Sequence, residues 1–377
     1  MKSKFLIYSI TFIILFTIGC KKTVSDTISP FTLQTHLGNG SNFIHNVFSL
    51  PDNTFVIMTQ DRNKNISKLF RYNSKLYLMD SMVIEGEAYS KPIIEPDNTF
   101  LMLGDGADNS EIWAVKINTE LKVVKKRNIE FLYPSAHGEL RYYNKLTKLS
   151  NGNYVIGTTH EQYPNLKDKI VLFCLKDIFT DNLPVWVINP TTYNGEWMEE
   201  LMGDDKNNVY IAATDHLGAS SNYVLKYDGS GNFIYKNYFP HTHENFHLYL
   251  ESEKVIYHDY ENFYTFDTQG NLKSKEEFGR YWLASSDLIK EGKHYYYVMD
   301  NQNSDGNFAE VRKTDENLKI EKSKLFGNRG TNSNVPKRRF MIKLSSGIMV
   351  AITLVENPNL SGNLWLLQRF DTELKMD

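Results

Sequence analysis

The sequence predicts an all-β fold, a seven-bladed β-propeller of four-stranded antiparallel blades whose ring is closed by a strand from the N-terminal end. A strand, tight polar turn, strand unit recurs along the chain. With Asp52, Asp97, Asn151, Asn207, Glu253, Glu291 and Ser346 as turn markers, successive steps are 45, 54, 56, 46, 38 and 55 residues, the period of propeller blades. The strands after those turns, such as 54–58 and 209–213, are apolar on both faces. That suits a sheet sandwiched between two others better than a half-exposed one. Composition agrees, since 41% of the 377 residues are hydrophobic and 13% aromatic, with 23 Tyr and 22 Phe, a bias toward strands.

Taken in order, the chain opens with a basic segment, residues 1–4, and an apolar stretch, 5–16, too short for a comfortable membrane span. This is the pattern of an export signal. Thr17-Ile18-Gly19-Cys20 then resembles the lipobox of bacterial lipoproteins, with Thr17 where Leu is usual in that family. The resemblance implies cleavage before Cys20, a lipidated Cys20 thiol and attachment through acyl chains to the cell envelope, with Lys21 and Lys22 compatible with an outer-membrane destination. The expected division is therefore 1–19 signal peptide, 20–30 lipidated tether and 31–377 propeller. Residues 31–37 alternate with period two and form a strand with no local partner.

Seven turns follow. Leu50-Pro51-Asp52-Asn53 and Glu95-Pro96-Asp97-Asn98 are nearly the same phrase, each leading into an apolar strand. Residues 150–153, 206–208, 251–254, 290–293 and 345–347 lead into the rest. A third strand supports several of these units, at 69–73, 112–118, 223–227, 264–267 and 365–371. Asp228 with Gly231 and Asp267 with Gly270 close such strands in a turn, whereas Asn73, Asn118 and Asp315 lack the Gly. The repeats are similar to those of kelch-like, quinoprotein-like and other bacterial propellers, with no one subfamily singled out. After Asp371 too few residues remain for an outer strand in the last blade, so residues 31–37 are expected to complete it.

In such a ring the connections entering the innermost strands, and those between second and third strands, gather at one mouth of the channel. Here they are 133–143, 191–199, 240–247, 278–282 and 327–339, with 60–65, 104–111, 159–165 and 215–222. They supply His137, Glu139, Arg141, Tyr193, Glu196, Trp197, His241, His243, Arg280, Tyr281 and Trp282 as candidate ligand-binding residues. Aromatic faces beside carboxylates and Arg suit a sugar or peptide.

Other chemistry is largely excluded. A formal charge of −3 leaves no basic footprint for nucleic acid. His243-Glu244-Asn245-Phe246-His247 matches the zinc-protease pattern. Yet it runs into the strand 248–250, where its two His would stand about 13 Å apart at ~3.3 Å per residue. Asn301, Asn303, Asp305 and Gly306 echo a calcium loop, with Arg312 where an acidic ligand should close it. Cys174, inside an apolar run, reads as a buried hydrophobe. No nucleophile elbow, phosphate loop, dinucleotide fingerprint or paired-Cys site is present. No metal and no cofactor are implied. The expected function is a non-catalytic envelope lipoprotein whose propeller face binds a protein or glycan, with a glycan-active lyase or hydrolase as the alternative.

Overall fold

The computed structural model describes residues 32–34 and 42–376, apart from Arg62, Tyr89, Ser252 and the stretches 106–111, 130–137, 163–166, 191–195, 216–221, 240–246, 259–261, 278–287, 304–305, 329–338 and 357–362. Every element among the described residues is a strand. They form seven separate antiparallel sheets arranged as the blades of a propeller.

Blades one to six each use consecutive strands, from innermost to outermost. Blade seven takes three strands from the C-terminal end, Arg339–Lys343, Met349–Glu356 and Asn363–Phe370, and its outermost strand, Thr32–Gln34, from the other end of the chain. Thr32 faces Leu367, Leu33 faces Leu366 and Gln34 faces Trp365. The expected closure is therefore present over Thr32–Gln34, while Phe31 and residues 35–37 lie outside the described residues. The C-terminal tail contributes too. Met376 bridges Phe370 antiparallel, so the tail begins the outermost strand that the N-terminal segment continues.

Burial explains the layering. The second strand Phe55–Asp61 and its equivalent Phe100–Asp105 are buried at every position. By contrast, the outermost strand Val123–Ile129 is exposed along most of its length. Seven apolar clusters fill the seven spaces between adjacent blades, and the one joining blades seven and one sets Ile342, Val350 and Trp365 against Ile44, Phe55 and Ile57. Each fully buried aliphatic or aromatic side chain contributes about 1.5–3 kcal/mol. No blade covers both of its own faces, so this stabilisation exists only in the assembled ring.

Cys174 faces the layer between blades three and four. Burial pushes its thiol up to about 11, so it remains protonated and unreactive at neutral pH.

Two local departures from regularity matter for the site. The innermost strand of blade two is split into Glu87–Ala88 and Ile93–Ile94, both pairing with Phe100–Asp105. Next to it, the Trp113 indole lies against Gly86 and Gly104, where any Cβ would collide with the ring. Trp113 Nε1 donates to the Asp105 carbonyl at 2.8 Å.

Candidate functional site

All seven second strands have an apolar body and a polar finish. Phe55–Asp61 begins Phe-Val-Ile-Met and ends Thr59-Gln60-Asp61, Phe100–Asp105 ends in Asp105, Val209–Asp215 ends Thr214-Asp215 and Lys254–His258 ends in His258. Gln60, Asp61, Asp105, Thr158, Thr159, Thr214, His258 and Thr353 are all buried. This polar end is the one the entry connections serve. The opposite end carries the tight turns and is closed by backbone and Asx hydrogen bonds. Buried polar groups cost stability unless partnered, so their concentration at one end marks that end as specialised.

The innermost strands reinforce the asymmetry. Those of blades one, three and four each carry a bulge, between Ile44 and Asn46, Arg141 and Lys145, and Met198 and Glu200. In blade two the strand breaks after Ala88. Bulges re-aim side chains at the rims of sheets, and here they coincide with His45, Asn144 and Glu200.

Three arrangements result. In the first, Asn144 of blade three donates through Nδ2 to Asp105 of blade two. Burial raises the Asp105 carboxyl to about 7, opposed by the Asn144 hydrogen bond and assisted by the charge of Glu87, the residue that faces it across the sheet. Gln60 of blade one joins this corner, its Nε2 donating to the Ala88 carbonyl at 2.9 Å.

The second arrangement joins blades four and five. Glu200 Oε2 accepts the Leu248 N–H at 2.9 Å and stands 3.5 Å from His247 Nδ1. The His247 ring lies 5.2 Å from that of His258, its register partner. His247 Nε2 is buried with no hydrogen-bond partner among the described residues. The third lies in blade six, where Glu310 Oε2 accepts from Asn301 Nδ2 and Arg312 Nη2, both at 2.9 Å. In blade seven, Arg339 is fully buried, and burial lowers its guanidinium to about 9.

Of the residues expected from sequence, His137, Tyr193, His241, His243, Arg280, Tyr281 and Trp282 lie outside the described residues. Glu139 and Arg141 sit in the innermost strand Gly138–Lys148, facing Glu161 and Thr159. Glu196 and Trp197 open the innermost strand Glu196–Gly203, facing Asp215 and Thr214. The stretches 133–143 and 191–199, expected as connections, are thus partly strand, because these innermost strands extend further toward the mouth than their apolar residues indicate.

The zinc-protease match ends in a strand, since His247 begins His247–Leu250 and meets His258 instead of a helical neighbour. The calcium-loop echo is a hairpin in which Asn301 faces Phe308 and Asn303 faces Gly306. Among the described residues no cluster of three or more His, Cys, Asp or Glu is placed to hold a metal ion.

Glu87, Asp105, Asn144, Glu200, His258 and Arg339 were not foreseen. For Asp105 and His258 the signal in the sequence is the polar residue that closes an otherwise apolar second strand, whereas Glu87, Asn144, Glu200 and Arg339 lie on innermost strands, where no such pattern marks them.

No protein-family model and no curated protein matches the chain. Solved structures do. The Dos1 propeller aligns with a TM-score of 0.51 at 10% identity, over 90% of this chain and 95% of that one. Hydrazine synthase from Kuenenia stuttgartiensis aligns with a TM-score of 0.55 at 11% identity, over 90% and 99%. The likeness is one of fold: the chain is a seven-bladed β-propeller. A synthase among its structural neighbours means that the fold does not by itself decide for or against catalysis.

Proposed function

We propose that this chain is a cell-envelope lipoprotein whose propeller binds a protein or glycan partner, without catalysis, at the end bearing the entry connections. The observation that carries the reading is the concentration of buried polar side chains toward that end, where Gln60, Asp61, Asp105, Asn144, Thr158, Thr214, His258 and Arg339 lie. The address rests on Gly19-Cys20 after the apolar leader. Closure agrees with it, since the N-terminal segment joins the ring at the outermost strand of blade seven, away from the innermost strands.

Two experiments test this. Fatty-acid labelling should mark the wild-type chain and not Cys20→Ser, and unlabelled wild type would remove the lipoprotein reading. Glycan and envelope-protein panels probed with the chain should give a partner whose binding is weakened by Glu200→Gln and unaffected by substitutions in the tight turns at the other end.

A catalytic reading has one specific observation in its favour. Glu200 Oε2 stands 3.5 Å from Nδ1 of His247, whose ring neighbours that of His258, and a carboxylate beside one imidazole nitrogen is the pairing that orients a histidine for proton transfer. New reducing ends or unsaturated products from a polysaccharide panel, abolished by His247→Ala, would establish a glycan lyase or hydrolase in place of a binding protein.

A further inference from the structure

Blade three departs from its neighbours on the turn-bearing side. In the other blades the third strand ends in a tight turn such as 228–231. In blade three the link runs from Lys176 to Val185, between the strands Lys167–Leu175 and Trp186–Ile188. The longer link is ordered by its own hydrogen bonds: the N–H groups of Lys176 and Asp177 donate to Asp181 Oδ2 at 2.8 and 2.9 Å, and that of Phe179 donates to Asp177 Oδ1 at 2.7 Å. Blade two holds it from the far side, with Arg127 donating to the Ile178 carbonyl at 3.2 Å and to Asn182 Oδ1 at 2.6 Å. The link therefore roofs the groove between the two blades and leaves a cleft of about 240 Å³. That is below the ~300–1,000 Å³ of sites for drug-sized ligands, and is of the order needed for one sugar ring.

The walls of the cleft have a definite chemistry. Tyr154 and Phe179 supply aromatic surface, and the turn at Gly152, with nothing within 4 Å of where a Cβ would stand, leaves backbone open to a ligand. Most of the charge is already matched. Glu95 accepts from Lys148 at 2.6 Å and from the Tyr154 hydroxyl at 3.0 Å, while Lys116 pairs with Asp97 at 2.7 Å. Asp177 and Asp181 are engaged by the link's own N–H groups. Two cationic heads remain, Lys125 and Lys176. Both line the cleft with no carboxylate partner among the described residues, and Lys125 Nζ lies 5.5 Å from the centre of the Phe179 ring.

We infer that this cleft between blades two and three binds one acidic sugar ring, stacked against Tyr154 and Phe179, with its carboxylate or sulfate held by Lys125 and Lys176. Apolar ring faces stack on aromatics while fixed charges select the substituent, and both elements are present here. The site lies at the opposite end of the ring from the proposed partner-binding face and does not depend on that reading.

The test is calorimetric titration of the purified full chain with trigalacturonate, with a sulfated galactose and with neutral galactotriose. At least one acidic probe should bind, more weakly as salt screens the contact, and the neutral one should not. Binding of the uronate alone or of the sulfate alone identifies the substituent. K125E/K176E should lose about tenfold or more in affinity, equivalent to ~1.4 kcal/mol, while K324E, the same kind of reversal on the outermost strand of blade six, should bind as the wild type does. Phe179→Ala, checked for an unchanged melting temperature, should weaken binding without removing its salt dependence. Absence of binding by both acidic probes at about 10 mM, equal binding of the neutral sugar, or full affinity in K125E/K176E would each overturn the assignment.

Discussion

Leu76, Leu121, Leu318 and Leu374 adopt φ values of 67°, 54°, 66° and 56°, where glycine is the usual occupant, and all four are buried. They stand where Gly231 and Gly270 stand in blades four and five. The left-handed conformation costs roughly 1–2 kcal/mol, and burying a Leu offsets this with about 1.5–3 kcal/mol. The missing glycines in those turns are thus a substitution of packing for backbone freedom. Leu318→Ala should lose about 2–4 kcal/mol in urea unfolding, because the strain stays and the packing goes. Leu318→Gly removes both, so it should be no less stable than Leu318→Ala, against the usual order of those two residues.

Asp105 gives a pH signature of its own. Its folded-state pKa, near 7 through burial, lies above the ~3.9 of an unfolded Asp, so the folded chain holds the extra proton between those values. Stability from this group is therefore full below about pH 4, falls as pH rises through 7, and is level above it. Asp105→Asn should flatten that slope and raise stability at pH 8 by on the order of 3 kcal/mol, read from unfolding midpoints across pH. A wild-type profile unchanged by the substitution would show that Asp105 is ionised in the folded state.

Among the elements, the strands and turns were legible because their chemistry is local. Phrases such as Leu50-Pro51-Asp52-Asn53 declare a turn, and apolar runs after them declare buried strands. The innermost strands were less so. A bulge such as that between Met198 and Glu200 has no composition of its own, and the polar residues it re-aims read as loop. Closure was legible by elimination, since blade seven ran out of chain while residues 31–37 lacked a partner. Deleting 31–37 should expose the edge of Asn363–Phe370, lower stability by several kcal/mol and increase aggregation. Deleting 21–29 should leave the unfolding midpoint within about 0.5 kcal/mol of the full chain. Equal midpoints for the two deletions would show that the pairing of Thr32–Gln34 contributes nothing to closure.

At the scale of the whole molecule, each blade is stabilised by layers it shares with two neighbours, and the layer between blades seven and one makes the series circular. Function was less legible than fold for a related reason. The periodic sequence encodes the shared layers, whereas a site assembled from Asp105 and Asn144, or from Glu200 and His247, joins residues of different blades. An open solenoid tolerates loss of a terminal repeat if a capping face remains. This ring has no capping face. A chain ending at residue 286 keeps blades one to five but leaves Ile256 and Phe263 uncovered on one side and Ile44, Phe55 and Ile57 on the other. It should bind a hydrophobic dye, lack a fixed near-ultraviolet signal and aggregate. The full chain should unfold in one transition with coincident near- and far-ultraviolet midpoints. A soluble, monomeric five-blade fragment with a native near-ultraviolet spectrum would show that the blades are stable without closure, and that the layer between blades seven and one is not what makes the fold cooperative.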